Sequence, residues 1–415
     1  MRIAIIGSGI AGLTCAYLLA RRHEVTVFES ASWVGGHTHT VDVQWKGQHH
    51  AVDTGFIVFN DRTYPHFMRL LGQLGVAWQP TEMSFSVHDP LSGFEYNGHD
   101  LDSLFAQRRN LLSPSFWGML GDILRFNRQA QADLESQRIA PATTLGEYLQ
   151  MHSYGRRFIE HYIVPMGSAI WSMPQAGMLG FPLQLFVSFF RNHGLLSVNQ
   201  RPQWQVIKGG SRSYIEPLCR GFAERIRLNC PVLRVSRDEG GVTITSSAGP
   251  ERFDNVVFAC HSDQALGLLE SPSAKERELL GALRYASNDV LLHTDTRLLP
   301  RRRKAWASWN YRLGGAPHAP AALTYNMNIL QGIEAPVTFC VSLNQTALVD
   351  PAQVLARFEY AHPQYSLAAL AAQARQDELQ GQQHSYFCGA YWANGFHEDG
   401  VVSALRVARH FGEHL

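Results

Sequence analysis

Gly7, Gly9 and Gly12 follow a four-residue apolar run, Ile3–Ile6, in the order G-x-G-x-x-G. Glycines at those offsets let the chain turn tightly, bring its backbone against a pyrophosphate, and pack the next helix on the strand. Ile10 and Ala11 lie in the first turn of that helix, whose free N–H groups and positive dipole end suit phosphate. Glu29 closes a second apolar run, Val25–Phe28, and stands 17 residues after Gly12, with Ser30 behind it. A carboxylate there accepts hydrogen bonds from ribose hydroxyls and disfavours a 2′-phosphate. His37 and His39 share one face of an extended chain, and only His49 and His50 are near enough to join them. That set is too poor for a metal, so no metal site is expected.

These residues require strand, turn, helix and strand in that order, and "RIAIIGSGIAGLTCAYLLARRHEVTVFES" reads that way. From Thr63 to about Gln203 the pattern changes to long helical segments rich in Leu, Phe, Met and Trp. "WQVIKGGSRSYIEPLCRGFA" (204–223) returns to strand, glycine turn and helix. "CPVLRVSRDEGGVTITSSAGPERFDNVVFAC" (230–260) alternates with period two, predicting a three-strand meander and then a buried strand. "VLLHTDT", "ALTYNMNIL" and "VTFCVSL" are further predicted strands, and an amphipathic helix starts near Glu398.

Beyond Glu29 the chain resembles the flavin-dependent amine oxidase and phytoene desaturase superfamily. Gly35–Gly36 and "AVDTGF" (51–56), with Asp53, Gly55 and Phe56, match its double glycine and D-x-G turn. Gly209–Gly210 match an internal G-G element, and Gly389 with Glu398–Asp399–Gly400–Val401 match the closing turn and helix. The resemblance implies bound FAD held by these residues, with Val232 supplying a backbone contact to the adenine. His37 stands where relatives often carry Arg. It further implies an α/β fold: a Rossmann-type FAD-binding domain of the glutathione-reductase-2 kind, with a discontinuous α+β substrate domain. The expected division is 1–62, 204–289 and 376–415 for FAD, and 63–203 and 290–375 for substrate. "SWNYRL", "TYNMNILQ", "HPQY" and "GFHEDG" look closest to FAD-binding proteins encoded near cyclopropane-fatty-acid-synthase-like methyltransferases, a branch associated with desaturation of methyl-branched acyl chains.

Bulk properties agree with that outline. A chain of 415 residues is too long for one ordinary core, so two domains are expected. A net charge of +1 gives no electrostatic reason for nucleic-acid binding. Six scattered cysteines without a C-x-x-C pair fit a reducing, cytoplasmic setting. The N-terminal apolar stretch superficially resembles a signal peptide, but cleaving it would remove the first strand, so none is expected. "FPLQLFVSFFRNHGLL" (181–196) suits a buried core helix, the lining of an apolar pocket, or a patch that docks on a bilayer. "RRRK" (301–304) suits a solvated loop or recognition of an acidic headgroup.

The expected reaction is oxidation of an apolar, lipid-like acyl chain, with oxygen or a quinone as electron acceptor and peripheral contact with the inner membrane face. His397 and Glu398, at the flavin-side turn, are candidate bases, with helix capping as the structural alternative. An amine oxidase is the first rival. The resemblance places its lysine at His293 and its aromatic cage at Phe396, with Tyr391 and Trp392 nearby. A redox-neutral flavin isomerase and a non-enzymatic electron-transfer protein are the others.

Overall fold

A computed structural model describes residues 1–197, 201–316 and 318–415; positions 198–200 of the expected 63–203 segment and Pro317 of the 290–375 segment lie outside it. Strand β1 (Arg2–Ile6) is buried from Ile3 onward and ends at Gly7. Gly7 has φ +106°, and a Cβ there would sit 2.9 Å from the Ala259 carbonyl oxygen, so the turn demands glycine twice over. Helix α1 (Ile10–Leu19) is buried nearly all round, because it is covered on both sides. Strand β2 (Glu24–Phe28) then pairs parallel with β1, Ile3 opposite Val25 and Ile6 opposite Phe28.

Helix α2 (Pro65–Leu74) follows, and strands β3 (Ile226–Arg227), β4 (Asn255–Phe258) and β5 (Ser385–Phe387) complete an all-parallel sheet. Its order is β3-β2-β1-β4-β5. Both faces are covered, so its strands read as continuous apolar runs. On one face lies the antiparallel meander Val232–Asp238, Gly241–Ser246 and Gly249–Phe253, whose Val235, Ile244 and Phe253 join Ala4, Ile6 and Phe258 in one core. On the other, α1 packs with helix α3 (His397–His410), sharing Leu13, Val401 and Ala404 with Ile3 and Ile5. The fold class is α/β with a Rossmann-type sheet, as the sequence predicts.

A second, seven-stranded mixed sheet runs Val354–Gln364, Arg284–His293, Cys340–Leu343, Leu323–Asn326, Trp309–Arg312, Phe85–Asp89, Phe94–Asn97. Helices between Pro114 and Asn192 pack over its far end in an aromatic core. Two expectations need correction. The 63–203 stretch is not simply helical: Phe85–Asp89 and Phe94–Asn97 form a hairpin stabilised by parallel pairing with Trp309–Arg312, more than two hundred residues away. In "ALTYNMNIL" the strand stops at Asn326, whose side chain accepts from Ile329 N and caps a short helix, Met327–Leu330. Within 181–196 the helix Leu183–Asn192 buries Leu183, Phe186, Val187 and Phe190, an i, i+3, i+4, i+7 stripe facing the core. That stripe is therefore not exposed to a bilayer.

Candidate functional site

The glycine turn is held shut from two sides. A Cβ on Gly12 would lie 2.0 Å from the Gly7 carbonyl oxygen. Glu29 Oε2 accepts from Ser8 N (2.9 Å) and Ser8 Oγ (2.6 Å), while Oε1 accepts from Ala31 N (2.8 Å) and, at 3.3 Å, from exposed Ser30 Oγ. Gly36, with φ +58°, lays the double glycine on the turn, its Cβ position 3.2 Å from Gly9 Cα. Gly35 has φ +123° and donates to Ser8 Oγ. At Gly9, by contrast, no heavy atom would approach within 4 Å of a Cβ.

Two helix N-termini meet here. Gly400, in the first turn of α3, packs on α1 so closely that a Cβ would come 2.7 Å from Ile10 Cγ2 and 3.7 Å from Ala11 N. Neither N-cap side chain bonds its own helix, α1 has no acid in its first turn, and the two acids in the first turn of α3, Glu398 and Asp399, are engaged by α2 and by the 394–399 turn. Two positive dipole ends side by side repel each other and favour an anion between them. His37 supplies a second sign of a missing partner: its Nε2 is buried with no hydrogen-bond partner among the described residues. The ring lies among Tyr360 (5.0 Å), His362 (5.5 Å) and His261 (6.4 Å). Burial drives His37 down to about 3 and His362 to about 4, so both rings are neutral at ordinary pH. An open glycine turn, two adjacent helix N-termini and a carboxylate at the end of β2 fit a dinucleotide.

The D-x-G turn acts as a strut. Asp53 is fully buried and accepts from Thr40 Oγ (2.6 Å), Ser211 N (2.8 Å) and Ser211 Oγ (2.9 Å), tying the 40–53 hairpin to the Gly209–Gly210 turn. Its burial raises the carboxyl to about 6 against those hydrogen bonds. Gly55 must be glycine because a Cβ would lie 2.2 Å from the His37 carbonyl oxygen, to which Phe56 N donates at 2.7 Å. Phe56 then stacks on His397, ring centres 3.5 Å apart.

Both candidate bases are hydrogen-bonded within the protein, and Glu398 takes the capping role given as its alternative. His397 Nε2 lies 3.0 Å from Thr38 Oγ1 and 3.2 Å from Tyr214 OH, which also contact each other. Burial pushes its imidazole well down, leaving it neutral. Glu398 spends both oxygens on the start of α2: Oε1 accepts from His66 N and Nδ1, and Oε2 from Phe67 N. Because Pro65 has no N–H, those two are the first free donors of α2, and Glu398 is their cap. Asp399 accepts from Phe396 N (2.9 Å) and Asn394 N (3.2 Å), pinning the 394–399 turn.

Burial raises Asp399 to about 7, against roughly 3.9 in an unfolded chain. The folded state therefore binds more protons than the unfolded one between about pH 4 and pH 7, and stability falls as pH rises through that window. Asp399→Asn keeps the acceptor oxygen and removes the titration. Thermal melts should show the wild type losing Tm relative to the variant as pH climbs across the window; a constant gap would contradict the assignment.

The remaining expected positions are spread more widely. Val232 opens the meander opposite Ser246, and Gly389 N donates to Ser403 Oγ on α3 at 3.0 Å. Val401 is buried between α3 and α1. His293 lies in the seven-stranded sheet with Nε2 on Ser342 Oγ (2.7 Å) and Nδ1 accepting from Asp295 N (3.1 Å); burial lowers it to about 4. Phe396 occupies the N-cap position of α3, its N–H donating to Asp399, and its ring stacks on Phe189. Four participants escaped sequence reasoning: Ser8, Thr38, Ser211 and Tyr214. Each sits one to four residues from a glycine or histidine that had been singled out, but as a small hydroxyl or a core aromatic it carries no pattern of its own.

Comparison with known proteins follows the same lines. The family described as "Flavin containing amine oxidoreductase" matches residues 10–318. A Mycobacterium tuberculosis protein named as a flavin-containing monoamine oxidase is 26% identical over 273 residues; the match spans 62% of this chain and only 56% of that relative. A redesigned putrescine oxidase superposes with a TM-score of 0.71 at 13% identity, covering 99% of each chain. A fatty acid isomerase from P. acnes that produces CLA superposes with a TM-score of 0.70 at 14% identity, covering 99% of this chain and 98% of that one.

Proposed function

The chain belongs to the flavin containing amine oxidoreductase family, and on that premise we propose that it is a dehydrogenase or desaturase of an apolar acyl chain, fatty acyl or phospholipid. The cofactor is FAD. When bound, FAD supplies the hydride-accepting ring, with oxygen or a quinone as the final acceptor. The backbone of Gly7–Gly12 and Gly35–Gly36 would hold its pyrophosphate, Glu29 its ribose, and the first turn of α3 at Gly400 and Val401 its ring side. Residues 1–62, 204–289 and 376–415 form the cofactor domain in this reading, and 63–203 with 290–375 the substrate domain.

One observation carries the substrate class. Phe396, partly exposed at the head of α3, continues into a cluster of rings packed in the helical core: Phe189 at 5.1 Å, then Trp171 4.9 Å from Phe189 and Phe181 4.4 Å from Trp171. His193, stacked on Phe189 at 3.8 Å, is held neutral by burial. Such a cluster suits methylene groups, each worth about 0.8 kcal/mol on burial. His397 acts as a positioning residue that fixes Thr38, Tyr214 and Phe56, and Glu398 as the cap of α2, so the proton lost beside the hydride goes to solvent or to substrate-borne oxygen. Surface contact with a bilayer belongs to the same reading, since the substrate partitions there.

Amine oxidation is the second reading, favoured by the monoamine-oxidase relative and the putrescine-oxidase fold. Redox-neutral isomerisation of an acyl chain is favoured by the P. acnes isomerase fold. Anaerobic bleaching of the bound flavin by a methyl-branched fatty acid, and not by putrescine, separates them.

A further inference from the structure

Exposed apolar side chains are ordinary one at a time, and it is a cluster of them rimmed by polar groups that marks an interaction surface. Leu91 is 86% exposed at the tip of the 85–97 hairpin, and Leu112 is 88% exposed at the end of the 3-10 segment Arg108–Leu112. Trp117 is half exposed and donates Nε1 to the Leu111 carbonyl at 2.9 Å, which places it beside Leu112. Arg109 ties the two loops together by donating to Ser92 O and Gly93 O at 3.4 and 3.3 Å.

The basic turn 301–304 joins the same rim. Arg302 pairs with buried Glu95 of the hairpin at 2.5 Å, and Arg301 N donates to the same carboxylate at 2.8 Å. Asp102 holds both Lys304, at 2.7 Å, and Arg108. Between the loops lies a cleft of about 450 Å³ lined by Ser92, Gly93, Gln107, Arg109, Arg301 and Arg302. Six cations (Arg108, Arg109 and 301–304) face four acids, Asp89, Glu95, Asp100 and Asp102. Asp89 and Asp100 are each engaged by local hydrogen bonds, to Leu91 N with Ser92 Oγ and to Ser103 N. In a chain of net charge +1, this is a local excess of positive charge around exposed apolar tips.

We propose that this rim docks the protein on an anionic lipid bilayer. Leu91, Leu112 and Trp117 enter the boundary between headgroups and acyl chains, while Arg109 and Arg301 take lipid phosphates in the cleft. Apolar tips ringed by arginine match the layered polarity of that boundary, and the cations match its charge. The inference rests on the bilayer contact read for the acyl substrate, and it locates that contact away from the buried Leu183–Asn192 helix.

The test is sedimentation of the FAD-loaded protein with phosphatidylcholine vesicles, with and without phosphatidylglycerol. Binding should be at least ~10-fold stronger with phosphatidylglycerol and should weaken with salt. Leu112→Asp and Arg301→Glu, both at exposed positions, should each lose at least ~10-fold in vesicle binding. Both should keep their flavin and should still be bleached by a methyl-branched fatty acid dispersed in detergent. Equal binding to both vesicle types, or full binding by both variants, overturns the proposal. So does displacement by millimolar inorganic phosphate, which would mark a free-anion site, or a Leu112→Asp variant that loses only self-association. Vesicle binding is read without turnover, and bleaching without vesicles, so failure of the dock and failure of the acyl reading are told apart.

Discussion

Gly12→Ala should yield protein purified without its yellow colour. The added Cβ would sit 2.0 Å from the Gly7 carbonyl oxygen and 3.1 Å from the Ala259 Cβ. Neither can give way alone: Gly7 is backbone, held by its N–H donating to the Phe28 carbonyl at 2.9 Å. Helix α1 must move off the sheet, taking with it the N–H groups that face the open space at Gly9. We expect FAD affinity to fall at least ~100-fold, near 2.7 kcal/mol, on top of overpacking of ~1–3 kcal/mol in stability. Gly72→Ala is the matched control. It lies inside α2 with no atom within 4 Å of a Cβ, so it should keep FAD and gain up to ~1 kcal/mol in helix stability. Flavin absorbance per protein, with melting curves of both variants, reads the difference; a yellow Gly12→Ala protein of unchanged affinity would contradict the turn geometry.

Asp53→Ala should be the most destabilising change that leaves the glycine turn untouched. It removes the acceptor for Thr40 Oγ, Ser211 N and Ser211 Oγ, all buried. Stranded buried donors cost about 1–3 kcal/mol each when no water reaches them, and relaxation makes the sum smaller than additive. A loss of roughly 4 kcal/mol lowers Tm by about 5 °C in a chain of this size. Asp53→Asn keeps one acceptor oxygen and removes the charge whose burial lifts Asp53 to about 6, so it should lose less than half as much. Chemical denaturation of the three proteins checks the order: wild type, Asn, Ala. An Ala variant as stable as the wild type would show that the hairpin and the Gly209–Gly210 turn hold together without this strut.

These two substitutions also show what is legible in the sequence. Gly12 acts within a run of about thirty residues, where strand, turn and helix follow from local spacing alone, and Glu29 belongs to the same unit. Asp53 was visible as part of a D-x-G turn, but its partner Ser211 lies 158 positions away. No periodicity announces that pairing. Glu398 is a sharper case. A carboxylate two residues into a helix next to a conspicuous histidine invites a catalytic reading, yet it caps a helix 331 residues earlier in the chain. The hairpin at 85–97 was hidden for the same reason, since its edge partner Trp309–Arg312 comes from the far half of the sequence. The apolar stretch at 181–196 spoke clearly of burial; only packing could say that its stripe faces Phe126 and Trp171 rather than lipid.

In the proposed reaction the aromatic cluster leading from Phe396 receives an acyl chain and FAD takes electrons from it. Its most direct test is anaerobic titration of the purified, FAD-loaded protein while the flavin spectrum is recorded. A methyl-branched fatty acid or its phospholipid should bleach the oxidised band, readmitted oxygen or a quinone should restore it, and putrescine should leave it unchanged. Bleaching by putrescine with none by acyl lipids would contradict the account and make the protein an amine oxidase.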